Sequence, residues 1–194
     1  MDFINMIQAR RSVYNLNKNI PIFDDKIVEI VRDCVKYVPD AFGMQSQRVV
    51  VVLGHKNDDL WNAIYDKMVT ASNGRFSRDR ADSFIDGYGT ILYFYDTAIV
   101  TETQRQYPLY SDKFHDWIMQ SNGMLQFAIW TAFATVGIGA NLQHYNPIID
   151  KTVQNMFDLP ESWVLVAQMP FGGISLPPSS KHNEDVSWRI KVEK

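Results

Sequence analysis

The chain predicts a layered α/β or α+β fold in one domain, on three observations. Arg48-Val49-Val50-Val51-Val52-Leu53 is β-branched and apolar on both faces, the pattern of a strand covered by helices on both sides. Apolar residues recur at helical spacing in two separate stretches, around 27–38 and 114–136. The composition of the 194 residues, 46% hydrophobic and 13% aromatic, is that of a globular chain long enough for one sizeable core.

The first residues form a short amphipathic segment closed by Ala9-Arg10-Arg11-Ser12. Ile27, Ile30, Val31, Cys34, Val35 and Val38 predict a helix, with Asp24 and Asp25 as capping candidates and Pro39 as its stop. After the valine strand and Gly54, Asp58 to Val69 predicts a second amphipathic helix through Leu60, Ile64 and Met68. Asn73-Gly74 then opens a polar, mobile or partly helical connection to Asp82. Gly87-Tyr88-Gly89 leads into a strand from Thr90 to Tyr95. Phe114 to Val136 carries a broad apolar stripe on one long helix, where Gly123 and Ala128 permit close approach, as in a central core or subunit-interface helix. Gly137-Ile138-Gly139 ends it, Ala140 to Tyr145 is extended, and Asn146-Pro147 opens a short helix through Met156. Trp163 to Met169 is a last apolar strand, which Pro170 to Gly173 is expected to break. The tail, with Pro177-Pro178, Lys181 and Trp188-Arg189-Ile190, is too polar to fold alone and is expected to lie across another surface. No internal repeat or linker marks a second domain.

A net charge of −3, with no segment that collects Lys and Arg, argues against a nucleic-acid partner. The lone Cys34 excludes an internal disulfide, and its place in an apolar helical row predicts a buried structural thiol in a reducing compartment. Met1 to Gln8 carries Asp2 and lacks the basic start and apolar run of a signal peptide, so a cytoplasmic protein is expected. The most apolar window, Met124 to Ala140, is interrupted by Gln126, Thr131 and Thr135 and is shorter than the roughly 20 residues of a bilayer span, which predicts no membrane association.

Arg10, Arg11 and Ser12 place two planar donor forks beside a hydroxyl, which suits the terminal phosphate of a bound cofactor; the alternative is a solvated basic turn. There is no G-x-G-x-x-G, no phosphate loop, no H-E-x-x-H and no Gly-x-Ser-x-Gly, and His55, His115, His144 and His182 stand apart from one another and from carboxylates at ligand spacing. A metal site is not expected, and no nucleophile has an evident activator. An enzyme of this composition would leave its chemistry to a cofactor.

Four segments occur in order: Ala9-Arg10-Arg11-Ser12, a Pro39-to-Arg48 loop entering the valine strand, Gly139-Ala140-Asn141-Leu142-Gln143-His144-Tyr145-Asn146-Pro147, and Met169-Pro170-Phe171-Gly172. Together they resemble the nitroreductase family over nearly the whole chain, and most closely its short, fatty-acid-repression-mutant-like branch. The resemblance implies an α+β fold with a central, mostly antiparallel sheet flanked by helices. It also implies an intertwined homodimer with FMN in clefts at the interface and NAD(P)H as co-substrate.

Carried over residue by residue, Arg10, Arg11 and Ser12 match the flavin segment that reaches the phosphate and the pyrimidine edge. Asp40, Ala41, Phe42 and Gln45 match the loop under the partner's flavin, although Gly43-Met44 stand where the family has Asn-Ser. Gln143 and His144 fall beside flavin N5, with a backbone N–H as the expected donor. Gly172 falls at a glycine turn, and Lys181 at a basic phosphate contact with a solvated lysine as the alternative. Phe42, Tyr107, Tyr110 and Trp117 are expected at the substrate pocket, Tyr107-Pro108-Leu109-Tyr110 as a lid; Tyr88 and Phe171 are further aromatic candidates, and core packing is the alternative for Phe42, Tyr88, Trp117 and Phe171 alike. The implied function is ping-pong reduction of nitroaromatic or quinone acceptors. Its rivals are a general flavin or quinone reductase and a non-catalytic flavin-binding regulator.

Overall fold

The computed structural model describes residues 2–181 and 183–194; Met1 and His182, with the reading of its imidazole, lie outside the described residues. The elements run α1 (Phe3–Ala9), β1 (Leu16–Asn17), α2 (Asp24–Tyr37), β2 (Gln47–Leu53), α3 (His55–Ala71), α4 (Arg78–Ile85), β3 (Gly89–Asp96), α5 (Thr97–Gln106), α6 (Phe114–Thr135), β4 (Gly139–Ala140), α7 (Asp150–Met156) and β5 (Trp163–Ile174). The strands form one antiparallel sheet in the order β1-β5-β3-β2, with β4 also paired to β5. Fold class α+β is therefore the observed one.

The doubly apolar valine run does what its pattern requires. Val49 and Val51 enter a cluster with Ile27 and Val31 of α2 and Leu125, Ile129 and Phe133 of α6. Val50 and Val52 enter a second cluster with Leu60, Trp61 and Ile64 of α3 and Phe84 of α4. In β3 the same alternation sends Ile91 and Tyr93 to the first cluster and Leu92 and Phe94 to the second. Successive side chains on a strand point to opposite faces, so these two strands feed two cores at once. No helix among the described residues is long and apolar enough to cross a membrane.

Several boundaries differ from expectation, among them α3, which begins at His55 rather than Asp58. β5 continues through Pro170 to Ile174 instead of breaking. The Pro170 carbonyl accepts from Asn141 N at 3.2 Å, on the side of the two-residue β4, while the neighbouring Phe171 carbonyl accepts from Tyr88 N at 2.8 Å on the β3 side. In a strand, N–H and C=O of one residue face the same neighbour. The missing proline donor therefore faces the short, irregular β4 and costs the β3 ladder nothing. Asp24 and Asp25 occupy the first turn of α2, where the helix dipole favours them, and the cap is Phe23 without a side-chain bond. Asn146-Pro147 makes a turn whose Pro147 carbonyl accepts from Asp150 N at 3.2 Å, and the helix begins only at Asp150. Helix α5 was not anticipated; Asp96 caps it by accepting from Ala98 N at 3.1 Å.

The end of β5 lies against the N-terminal segment at backbone contact. A Cβ on Gly172 would stand 2.5 Å from the Asn17 carbonyl oxygen, and one on Gly173 would stand 2.0 Å from that of Asn19. Gly173→Ala is accordingly expected to lower stability by about 1–3 kcal/mol, the usual cost of overpacking against rigid atoms, read from urea unfolding. Cys34 is half-buried on α2, and burial, with Asp33 adding to it, pushes its thiol up to about 11. At pH 8 the thiol is then almost wholly protonated. Iodoacetamide should label the native protein roughly tenfold or more slowly than the urea-unfolded chain, and equal rates would contradict the inert assignment.

Candidate functional site

Helix α1 ends at Ala9, and Arg10 is already extended, with φ −67° and ψ 119°. The next residues lie along β4: Ser12 forms a parallel bridge with Ala140, and Val13 N donates to the Ala140 carbonyl at 2.9 Å. Asn141 Nδ2 completes the tie by donating to the Val13 carbonyl at 2.8 Å. From the other end of the chain, Ser175 N donates to the Asn15 carbonyl at 2.9 Å and Arg11 Nη2 donates to the Ser179 carbonyl at 2.8 Å. These contacts make two walls. Between them lies a cleft of about 500 Å³ lined by Arg10, Arg11, Ser12, Tyr14, Asn15, residues 176–179 and Lys181.

Among the described residues, none of Arg10, Arg11 and Lys181 forms an ion pair, although the chain carries more acids than bases. Arg10 lies over the Trp130 ring at 4.2 Å, and burial, then the charge of Arg11, holds its guanidinium below the ordinary value. Among the described residues, Trp130 Nε1 is buried without a hydrogen-bond acceptor. Adjacent cations without counterions, with planar donor forks and a hydroxyl beside them, fit a phosphate monoester. The residues present thus fit the cofactor that the sequence resemblance implies.

The Asp40–Gln45 loop stands apart from that cleft in the single chain. Asp40 is occupied in building the loop: its carboxylate accepts from Ala41 N at 2.9 Å, Ser46 N at 2.6 Å and Ser46 Oγ at 2.8 Å. Under that clamp Phe42 and Gln45 take left-handed backbone, φ 54° and 55°, and Gly43 follows at 63°. Non-glycine residues adopt this region at a cost and persist there only when surrounding contacts over-determine it. The result is that Phe42 is presented outward. Its ring centroid lies 4.5 Å from Tyr107, 6.1 Å from Tyr110 and 5.5 Å from Trp117, so the four residues expected at the substrate pocket do converge. Phe171 is instead fully buried, 4.9 Å from Phe133, and Tyr88 packs beside it and donates to Asp24.

Gln143 and His144 differ in what they can offer. Gln143 N donates to the Gln168 carbonyl at 2.7 Å and Gln168 N returns a bond to the Gln143 carbonyl at 2.9 Å, so the Gln143 N–H is already used in the sheet. His144 is exposed, and its N–H meets no acceptor among the described residues. The expected backbone donor is thereby narrowed to His144. Gly172 sits inside β5 rather than in a turn, pressed on Asn17. Tyr14, Asn15 and Ser179 line the cleft without having been singled out, and Arg80 reaches Gln143 Oε1 at 3.0 Å. Only Arg80 had a sequence signal, a charge within the polar 73–82 connection, and that signal is shared by any solvated helix face.

The nitroreductase family profile matches residues 7–173. The nitroreductase FRM2 of Saccharomyces cerevisiae is 31% identical over 183 residues, covering 93% of this chain and 92% of its own. The solved nitroreductase CinD from Lactococcus lactis, in complex with nicotinic acid, superposes with a TM-score of 0.94 at 38% identity over 100% of both chains. CinD has also been solved with chloramphenicol and with 4-nitrophenol. At 13% identity, a protein from Exiguobacterium sibiricum solved in complex with FMN shares the fold, with a TM-score of 0.73 over 100% of this chain and 98% of that one.

The clamp at Asp40 generates a direct test. Asp40→Ala removes three hydrogen bonds to a charged acceptor and should lower stability by about 1.5–3 kcal/mol. It should also open residues 40–46 to limited proteolysis, while unchanged cleavage would show that the loop is held by other contacts.

Proposed function

The chain belongs to the nitroreductase family, and on that premise we propose that it is an FMN-dependent oxidoreductase that uses NAD(P)H to reduce nitroaromatic or quinone acceptors. The observation that carries the reading is the cleft in which Arg10, Arg11, Ser12 and Lys181 meet with no ion pair among the described residues. Bound FMN supplies the two-electron redox chemistry of the family. The chain's own residues bind and orient. The two guanidiniums and the Lys181 ammonium hold the phosphate, with Ser12 as neutral donor, and the His144 N–H serves the ring edge. Phe42, Tyr107, Tyr110 and Trp117 offer flat apolar faces on which an aromatic acceptor stacks, 42% or more exposed in the case of Phe42, Tyr107 and Tyr110.

The reading includes a homodimer. Helix α6 leaves Met119, Met124 and Phe127 exposed, α1 leaves Phe3 and Ile4, and the tail presents Val186, Trp188, Ile190 and Val192 in alternation with Trp188 78% exposed. Strand β2 is one edge of the sheet, paired only to β3. A second copy that covers these surfaces would bring its Asp40–Gln45 loop and aromatic platform to the basic cleft of the first, and obligate interfaces of this kind bury more than about 2,000 Å². Sedimentation should find a dimer at micromolar concentration, whereas an FMN-loaded monomer would contradict the shared site.

Purified protein should take up FMN and oxidise NAD(P)H when a quinone or 4-nitrophenol-like acceptor is added. Uptake of FMN with negligible turnover would favour the flavin-binding regulator. Because one cleft serves donor and acceptor in turn, double-reciprocal plots should be parallel, and intersecting lines would argue for a ternary complex. Arg10→Ala should weaken FMN binding by about 1.5–3 kcal/mol, the range for charge-assisted hydrogen bonds. His144→Ala should keep most of the activity because the backbone donor remains, whereas a proline there removes it.

A further inference from the structure

Arg80 begins on the outer side of α4, yet its guanidinium turns inward. Nη2 donates to Gln143 Oε1 at 3.0 Å, and Nε approaches Tyr145 Oη at 3.5 Å. Tyr145 Oη donates to the same Gln143 oxygen at 2.9 Å; burial raises this phenol, so it stays protonated and keeps that donor role. The Gln143 amide nitrogen donates to Asn141 Oδ1 at 2.5 Å, and Asn141 Nδ2 donates to the Val13 carbonyl at 2.8 Å. Gln143 and Asn141 are both buried. A continuous relay therefore runs from a helix on one side of the sheet to the residue after Ser12, and it passes through the residue before His144.

The guanidinium is also held from its flanks, 5.3 Å from the Phe84 ring and 5.8 Å from that of Tyr14, which lines the basic cleft. Its hydrogen-bond acceptor is a neutral amide. Among the described residues Arg80 forms no ion pair, unlike its neighbour Arg78, which meets Asp82 at 2.7 Å. Arg80 is itself exposed, so water and salt screen its charge and it acts on groups bound beside it only at short range.

The geometry points to Arg80 as a positioning residue that acts through Gln143: it fixes the 141–144 segment that carries the His144 N–H, and it delivers an uncompensated positive charge to the cofactor edge. This rests on the FMN reading above. A fixed cation next to a flavin favours the electron-rich form of the ring and raises its reduction potential. The neutral amide at position 143 is essential to the effect, because a carboxylate there would cancel the charge while still accepting from Arg80 and Tyr145, at the loss of the donor to Asn141.

The test measures the midpoint potential of bound FMN and its dissociation constant in the purified holoprotein and in Arg80→Met, Arg80→Lys and Gln143→Glu. Arg80→Met and Gln143→Glu should each shift the equilibrium at least tenfold toward oxidised FMN, about 30 mV downward for a two-electron couple. Arg80→Lys should restore most of that shift. Gln143→Glu retains Arg80 and its ties to position 143 and Tyr145, losing only the donor to Asn141, so it reports on charge even if Arg80→Met fails to fold. Potentials within threefold of the unaltered protein in Gln143→Glu, or no rescue by lysine, would reduce Arg80 to a structural contact and overturn the proposal. Failure of the unaltered protein to bind FMN would instead overturn the reading beneath it, and would be evident before any variant is made.

Discussion

Two hydrogen bonds, from Val13 N to the Ala140 carbonyl at 2.9 Å and from Asn141 Nδ2 to the Val13 carbonyl at 2.8 Å, hold the N-terminal segment on the sheet. Residues 10 and 11 would otherwise be the frayed end of a seven-residue helix, and such short helices have little stability of their own. Fixed at residue 13, the chain must leave its two arginines beside the tail, where Arg11 donates to the Ser179 carbonyl at 2.8 Å. The charge cluster is a product of that tie. Each cation left without an acid raises the cost of the empty arrangement and the gain on binding an anion.

The tie works only because the sheet beneath it is rigid. β3 is buried along nearly its whole length, fed by α2 and α6 on one face and by α3 and α4 on the other. β5 pairs with β3 on one side and with β1 and β4 on the other, so the segment that carries Gln143 and the one that carries Arg10 rest on the same central strand. The glycines at 172 and 173 allow that strand to lie against Asn17 and Asn19 at backbone contact. Their value is in packing, which differs from the turn that the sequence resemblance implied for Gly172.

Legibility in the sequence followed the range of the interactions. The valine strand and the long helix could be read because burial on a strand or helix face writes itself into a local period. Helix α5 could not, since Val100 and Thr103 are the only positions it buries and its remaining residues, Ala98 and Ile99 apart, are polar or charged. The end of β5 is not legible in sequence because a proline's tolerance depends on which neighbour its nitrogen faces, a property set by the pairing partners Asn141 and Thr90, far away along the chain. At the site, Arg10 and Lys181 are 171 positions apart and were joined only by resemblance to a family pattern. Arg80 escaped notice for the same reason: its acceptor, Gln143, is 63 residues distant, and from the sequence alone it belongs to a solvated face.

The central claim is that the cleft between residues 10–15 and 176–181 recognises a phosphate monoester through uncompensated positive charge. Titrating the flavin-free protein with FMN and with riboflavin, which differ only in that phosphate, tests it most directly. The expected result is binding of FMN at least about a hundredfold tighter than riboflavin, in line with two charge-assisted contacts, with the gap narrowing as salt is raised. Equal affinities for the two flavins, or a difference that salt leaves untouched, would contradict it.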